Sequence, residues 1–149
     1  MAKFENHVDI DAPVATVWAI VNTSQQWPQW FPDMDEMQDI GTAEAGETFT
    51  WERDGKQATG KVVRAEDESR MQLVTIADGH KHTHTFSLRP RGGVFGIGGG
   101  NSRLEYALEY EATGGVIGEF IARGNPVDMI KVRNVLKEIK ELAEEAPRQ

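Results

Sequence analysis

From Val132 onward the apolar residues of this chain fall at Val132, Val135, Leu136, Ile139, Leu142, Ala143 and Ala146. Spacing by threes and fours puts them in one stripe of an amphipathic helix. Lys131, Arg133, Lys137, Glu138, Lys140, Glu141, Glu144 and Glu145 take the remaining surface. The helical stretch is predicted to run from Gly115 to Ala146. A kink or break is expected at Asn125-Pro126, because the residue before a proline is pushed out of the α region. A helix this long must lie on a broad apolar surface, and the rest of the chain has to supply it.

The middle of the chain reads as a ladder of strands. Asp54-Gly55 separates Glu47–Arg53 from Lys56–Ala65, and Asp78-Gly79 separates Arg70–Ala77 from His80–Arg89. Asp-Gly suits a two-residue hairpin turn, whose positive φ angles fix the pairing register. Trp51 should therefore face Ala58, and Phe49 should face Gly60. In the second hairpin Thr75 should face His82, Leu73 His84 and Met71 Phe86. Residues 102–111 alternate cleanly, with Leu104, Tyr106, Leu108 and Tyr110 on one side. Strict alternation turns Arg64 inward beside Val62, where it would need a carboxylate or bound anion; a β-bulge that turns it outward is the expected solution.

Before the ladder, Phe4, Asn6, Val8 and Ile10 alternate with charged residues and His7 as a first strand. Asp11 reads as the N-cap of a short helix carrying Val14, Val17, Trp18 and Val21 on one face. A second short helix follows over Gln25–Pro32, and a weak strand is expected from Met34 to Ile40. The order of elements implies a single α+β domain over residues 1–149, an antiparallel sheet of about six to seven strands with its helices on one face.

Composition narrows the function. A net charge of −8 with scattered basic residues argues against a nucleic-acid partner. The chain has no cysteine, so disulfides and thiolate chemistry are out. The start, Met1 to His7, lacks the apolar run of a leader peptide, and no stretch has transmembrane length. A cytoplasmic protein, monomer or homodimer, without cofactor or metal is the expectation. The glycine-rich loop from Pro90 to Asn101 joins two strands and lacks the Lys-Ser/Thr tail of a phosphate cradle; Val94, Phe95 and Ile97 suit it to be an apolar flap or a dimer contact.

The segment Val8-Asp9-Ile10-Asp11-Ala12-Pro13, followed by Val17-Trp18 and Trp27-Pro28-Gln29-Trp30-Phe31-Pro32, resembles the opening of the START/Bet v 1-like superfamily (SRPBCC), and most closely its polyketide cyclase/dehydrase and lipid transport branch. The likeness continues through the strand ladder and the long final helix. It implies a helix-grip fold, a curved sheet around the C-terminal helix with a cavity between them. It also implies a lipid, polyketide or similar hydrophobic ligand, handled by a carrier or by an enzyme. Co-chaperone relatives add protein interaction as a third class, since fold membership alone does not decide function.

The most unusual stretch is His80-Lys81-His82-Thr83-His84. Alternate strand residues share a face, so His80, His82 and His84 line up with Phe86 and, by register, with Met71 and Leu73. Either these histidines merely begin the strand, half-exposed, or His82 and His84 point into the cavity with His80 at its rim. Three in a row on one strand fit a tetrahedral metal site poorly. A buried histidine is held neutral, which suits hydrogen bonding to a carbonyl or hydroxyl, or general-base work. Tyr106 either donates to a ligand oxygen or bonds another protein group in the core. Trp27, Trp30 and Phe31 either wall the cavity mouth or lock the short helices to the sheet. The expected ligand lining is Trp30, Phe31, Phe49, Trp51, Met71, Leu73, His82, His84, Phe86, Leu104, Tyr106, Leu108 and Phe120. In an enzyme of cyclase or dehydratase type, His84, His82 and Tyr106 would be the catalytic candidates.

Overall fold

The computed structural model of the chain describes residues 2–31, 41–53, 56–77, 80–91, 101–110 and 126–146. Within them lie β1 (Ala2–Ile10), α1 (Val14–Asn22), a 3₁₀ turn (Ser24–Gln26), α2 (Trp27–Trp30), β2 (Thr48–Arg53), β3 (Lys56–Glu66), β4 (Arg70–Ala77), β5 (His80–Pro90), β6 (Ser102–Tyr110) and α3 (Pro126–Glu145). The six strands form one antiparallel sheet in the order β1-β6-β5-β4-β3-β2. The meander from β2 to β6 thus carries the chain back to pair with its own first strand. The expected strand Met34–Ile40, the glycine loop with Val94, Phe95 and Ile97, both Asp-Gly turns and the helical segment before Pro126, with Phe120 and Asn125, lie outside the described residues. No helix among the described residues is long and apolar enough to cross a membrane.

Register follows the turn chemistry. Trp51 pairs with Ala58 and Phe49 with Gly60. Thr75 pairs with His82, Leu73 with His84 and Met71 with Phe86. The ladder between β3 and β4 shifts by one residue, since Val62 faces Leu73 while Arg64 faces Gln72. This bulge turns Arg64 to solvent, where its Nε meets Glu66 Oε1 at 3.3 Å, and no inward charge remains to be compensated.

The inner face holds the core. Val132, Val135, Leu136, Ile139 and Ala143 of α3 are all buried, the same stripe that the spacing marks out. The helix packs on β1, β6, α1 and α2. Its C-terminal end is tied to the end of β1: Lys140 Nζ donates to the Asp9 carbonyl at 2.7 Å, and the Asp11 N–H donates to Glu144 Oε2 at 2.9 Å. The start of α1 corrects the expected role of Asp11 as its N-cap. Pro13, with φ −65° and ψ 154°, is the N-cap of α1, and no side chain caps the helix. The first free N–H groups are served through the Pro13 carbonyl, which accepts from Thr16 and Val17 at 3.0 and 3.2 Å.

Gly60 sets the position of a whole aromatic row. A Cβ placed there would lie 2.3 Å from Phe49 Cζ, so the Phe49 ring lies flat over the glycine. From there it meets Trp27 edge-on at 5.0 Å and stacks on Trp51 at 5.7 Å. Gly60→Ala has to push the ring off both tryptophans. Overpacking of this kind costs about 1–3 kcal/mol, and thermal denaturation of the variant is expected to show a lower Tm.

Candidate functional site

The six strands present their inner residues in rows across the sheet. Phe49, Gly60, Thr75, His82 and Tyr110 form the row at one end, followed by Val62, Leu73, His84, Leu108 and Phe4, then by Ala65, Met71, Phe86, Tyr106 and Asn6. These rows are mostly apolar, and of the two imidazoles they carry, His82 and His84, only His84 is fully buried. His84 is 3% exposed.

Both of its ring nitrogens are engaged. Nδ1 is 2.7 Å from the Tyr106 hydroxyl and Nε2 is 2.9 Å from Thr75 Oγ1. The two partners are diagonal neighbours on β6 and β4, within reach across a pleated sheet. A hydroxyl can donate or accept, so either tautomer of the neutral ring closes both bonds. Among the described residues no buried side-chain nitrogen or oxygen lacks a partner. Burial holds the His84 pKa well below the ordinary histidine value, and the nearby His82 and the Lys131 ammonium push it in the same direction. The ring is therefore neutral at physiological pH.

Aromatic rings surround this polar line. Phe31 meets His84 edge-on at 4.9 Å. Phe86 stacks on Tyr106 at 4.5 Å and receives the edge of Trp30 at 5.4 Å. His82 stacks over His84 at 6.3 Å and tilts against Tyr110 at 5.1 Å. His82 and Tyr110 are half-buried, so the line leads from the closed interior to an accessible end of the sheet.

The other expected lining residues divide by place. Phe49, Trp51, Met71, Leu73, Leu104 and Leu108 are buried on the inner face, as are Trp30 and Phe31. The short helices are anchored by their indoles: Trp27 Nε1 donates to the Val21 carbonyl at 2.7 Å and Trp30 Nε1 to the Ile20 carbonyl at 3.2 Å. Trp27, Trp30 and Phe31 thus lock α1 and α2 to the sheet. The side chain of His80 and the whole of Phe120 lie outside the described residues. Two site residues were not picked out from the sequence, Thr75 and Tyr110. The hairpin register already put Thr75 on the inner face one row from His84, and alternation put Tyr110 on the face of Tyr106. No group of three or more His, Asp or Glu side chains able to hold a metal ion occurs among the described residues.

Comparison with known proteins places this architecture. The model of the family described as polyketide cyclase/dehydrase and lipid transport matches residues 1–144. No curated protein matches the chain. Among solved structures, MLL2253 of Mesorhizobium loti is 11% identical with a TM-score of 0.73, over 98% of this chain and 99% of that one. The di-domain ARO/CYC BexL from the BE-7585A biosynthetic pathway is 18% identical with a TM-score of 0.72, over 97% of this chain and 47% of BexL. DynU16, from the dynemicin biosynthetic locus, is 16% identical with a TM-score of 0.70, over 97% of this chain and 48% of DynU16. This chain spans about half the length of BexL and of DynU16. Such identities establish the shared fold, and the family model extends over nearly every residue. The chain belongs to the polyketide cyclase/dehydrase and lipid transport family.

Proposed function

We propose that the protein binds a small hydrophobic or aromatic molecule between the inner face of the sheet and α3, with its polar end at His82 and Tyr110. The observation that supports this reading is the Thr75–His84–Tyr106 line, built into an apolar wall and continued by ring stacking to the half-buried His82. A core needed only for stability is more readily built from apolar side chains throughout, because desolvating an imidazole and two hydroxyls costs free energy that their mutual hydrogen bonds must first offset. A ligand site does gain: apolar burial supplies affinity, and a few fixed polar groups supply orientation. In this reading Thr75 and Tyr106 hold His84 neutral and in place. His84 positions His82, and His82 with Tyr110 meets the ligand's hydroxyl or carbonyl. The family's handling of polyketides and lipids points the same way.

Binding without turnover fits the geometry better than a cyclase or dehydratase reaction. A general base needs a free nitrogen within reach of the substrate, and both nitrogens of His84 are already bonded to hydroxyls.

Native mass spectrometry of the purified protein tests the reading. A co-purified small apolar molecule is expected. Readdition of that molecule at about a hundred times its Kd should stabilise the fold by about 2.7 kcal/mol, and His82→Ala should weaken its binding. If nothing co-purifies, and aromatic and acyl ligands all leave Tm unchanged, the proposal fails.

A further inference from the structure

A recess lies at the border of the inner face, between the free edge of β1 and α3. It has a volume of about 340 Å³ and is lined by Asn6, His7, Val8, Arg133, Leu136, Lys137 and Lys140. We propose that this groove docks an extended acidic peptide segment of a partner protein, added as a strand along β1. The inference is independent of the ligand reading above.

Three observations carry it. The first is an open strand edge. β1 is an outer strand of the sheet, and successive residues of a strand turn their N–H and C=O groups to opposite edges. The Asp9 carbonyl accepts from Lys140, and the His7 N–H donates to Asn6 Oδ1 at 2.8 Å. Both bonds lie on the side away from β6, so His7 presents its backbone to the groove, and Glu5, two residues earlier, turns its N–H and C=O to the same open edge. An exposed edge is a template for pairing unless it is blunted. Here two side chains blunt it: Lys140 holds the Asp9 carbonyl, and the Asn6 side-chain oxygen stands on the His7 N–H where an incoming strand's carbonyl would stand.

The second observation is charge. The molecule carries a net −8, yet the groove is lined by cations. Arg133, Lys137 and Lys140, spaced by four and three, share the flank of α3 beside β1, and Glu144 stands on the same flank, paired with Lys140. Arg133 and Lys137 are exposed and take part in no ion pair among the described residues. Lys140 is held by Glu144 at 3.2 Å and by Asp9. Two unpaired cations over an open edge favour a partner that brings carboxylates.

The third is the floor. Val8 is half-buried and lies beside the packed Leu136, which gives one side chain of an added strand an apolar seat. Strand addition draws affinity from main-chain hydrogen bonds and specificity from such seats.

The test uses the full chain and a fluorescein-labelled peptide, acetyl-Glu-Val-Glu-Val-Glu-Val-amide, followed by anisotropy at low ionic strength. Binding to the wild type is expected, at least tenfold weaker to Arg133→Glu/Lys137→Glu and weakened by added salt. The peptide with N-methylated backbone should not bind, and the bound unmodified peptide should protect the Glu5 and His7 amides from hydrogen exchange. Failure of the acidic peptide to bind overturns the proposal. So does equal affinity for the charge-reversed variant, for a Lys-Val peptide or for the N-methylated peptide; the last of these would leave only a cationic patch.

Discussion

Trp27→Ala is expected to lower the unfolding free energy by about 3–5 kcal/mol, the range for removing a large buried aromatic. Trp27 has no exposed surface. It meets Phe49 edge-on and donates its indole N–H to the Val21 carbonyl at 2.7 Å. Truncation leaves a void beside Phe49 and takes away the donor that fastens the end of α1. A domain of this size is stable by only about 5–15 kcal/mol, so the variant should unfold at much lower urea, with an unchanged slope if the native state stays compact. Trp27→Phe refills most of the volume and should recover a large part of the loss.

The second large effect concerns His84 and depends on pH. Its pKa lies well below the ordinary value of 6.5 in the folded protein and close to 6.5 in the unfolded chain. Below that pH the unfolded chain takes up a proton that the folded protein refuses. Stability from this group is therefore complete above about pH 6.5 and falls as pH drops towards the folded pKa, by up to about 1.4 kcal/mol per pH unit. His84→Leu removes this contribution. At pH 8 the variant should be less stable than the wild type, because two buried hydrogen bonds are broken at about 0.5–1.5 kcal/mol each, more where a hydroxyl stays dry. The deficit should shrink between pH 6.5 and 5. Urea denaturation of both proteins at pH 8 and pH 5 measures it, and an equal deficit at both would mean that the native ring takes up its proton as readily as the unfolded chain does.

Much of this architecture is legible in the sequence wherever one local signal fixes one geometric choice. An Asp-Gly pair sets a hairpin register, and from it the pairs Phe49–Gly60 and Leu73–His84 follow without further information. The stripe Val132 to Ala143 names the buried face of α3 directly. The bulge at Val63 is legible because a charged Arg64 cannot be left inside an apolar row. The seat of β1 beside β6 has no such signal. It is a pairing between distant parts of the chain, with no turn to set it, and it depends on the closure of the whole sheet. The Asp11 cap fails because α1 begins only at Val14, with Pro13 as its N-cap, so the Asp11 carboxylate stands two residues before the capping position. Around His84 the alternation gives the face, but it does not say which hydroxyl the ring will choose among its diagonal neighbours. Thr75 and Tyr106 emerge as the pair only when β4, β5 and β6 are brought together.

The central claim is that the inner face receives a small apolar molecule at its His82 end. Titration of the ¹⁵N-labelled protein with 2-naphthol, followed by two-dimensional NMR, tests it residue by residue. Saturable shifts are expected, centred on Thr75, His82 and Tyr110 and weakened by His82→Ala. Shifts confined to the outer face of the sheet, or none at any concentration, would contradict it.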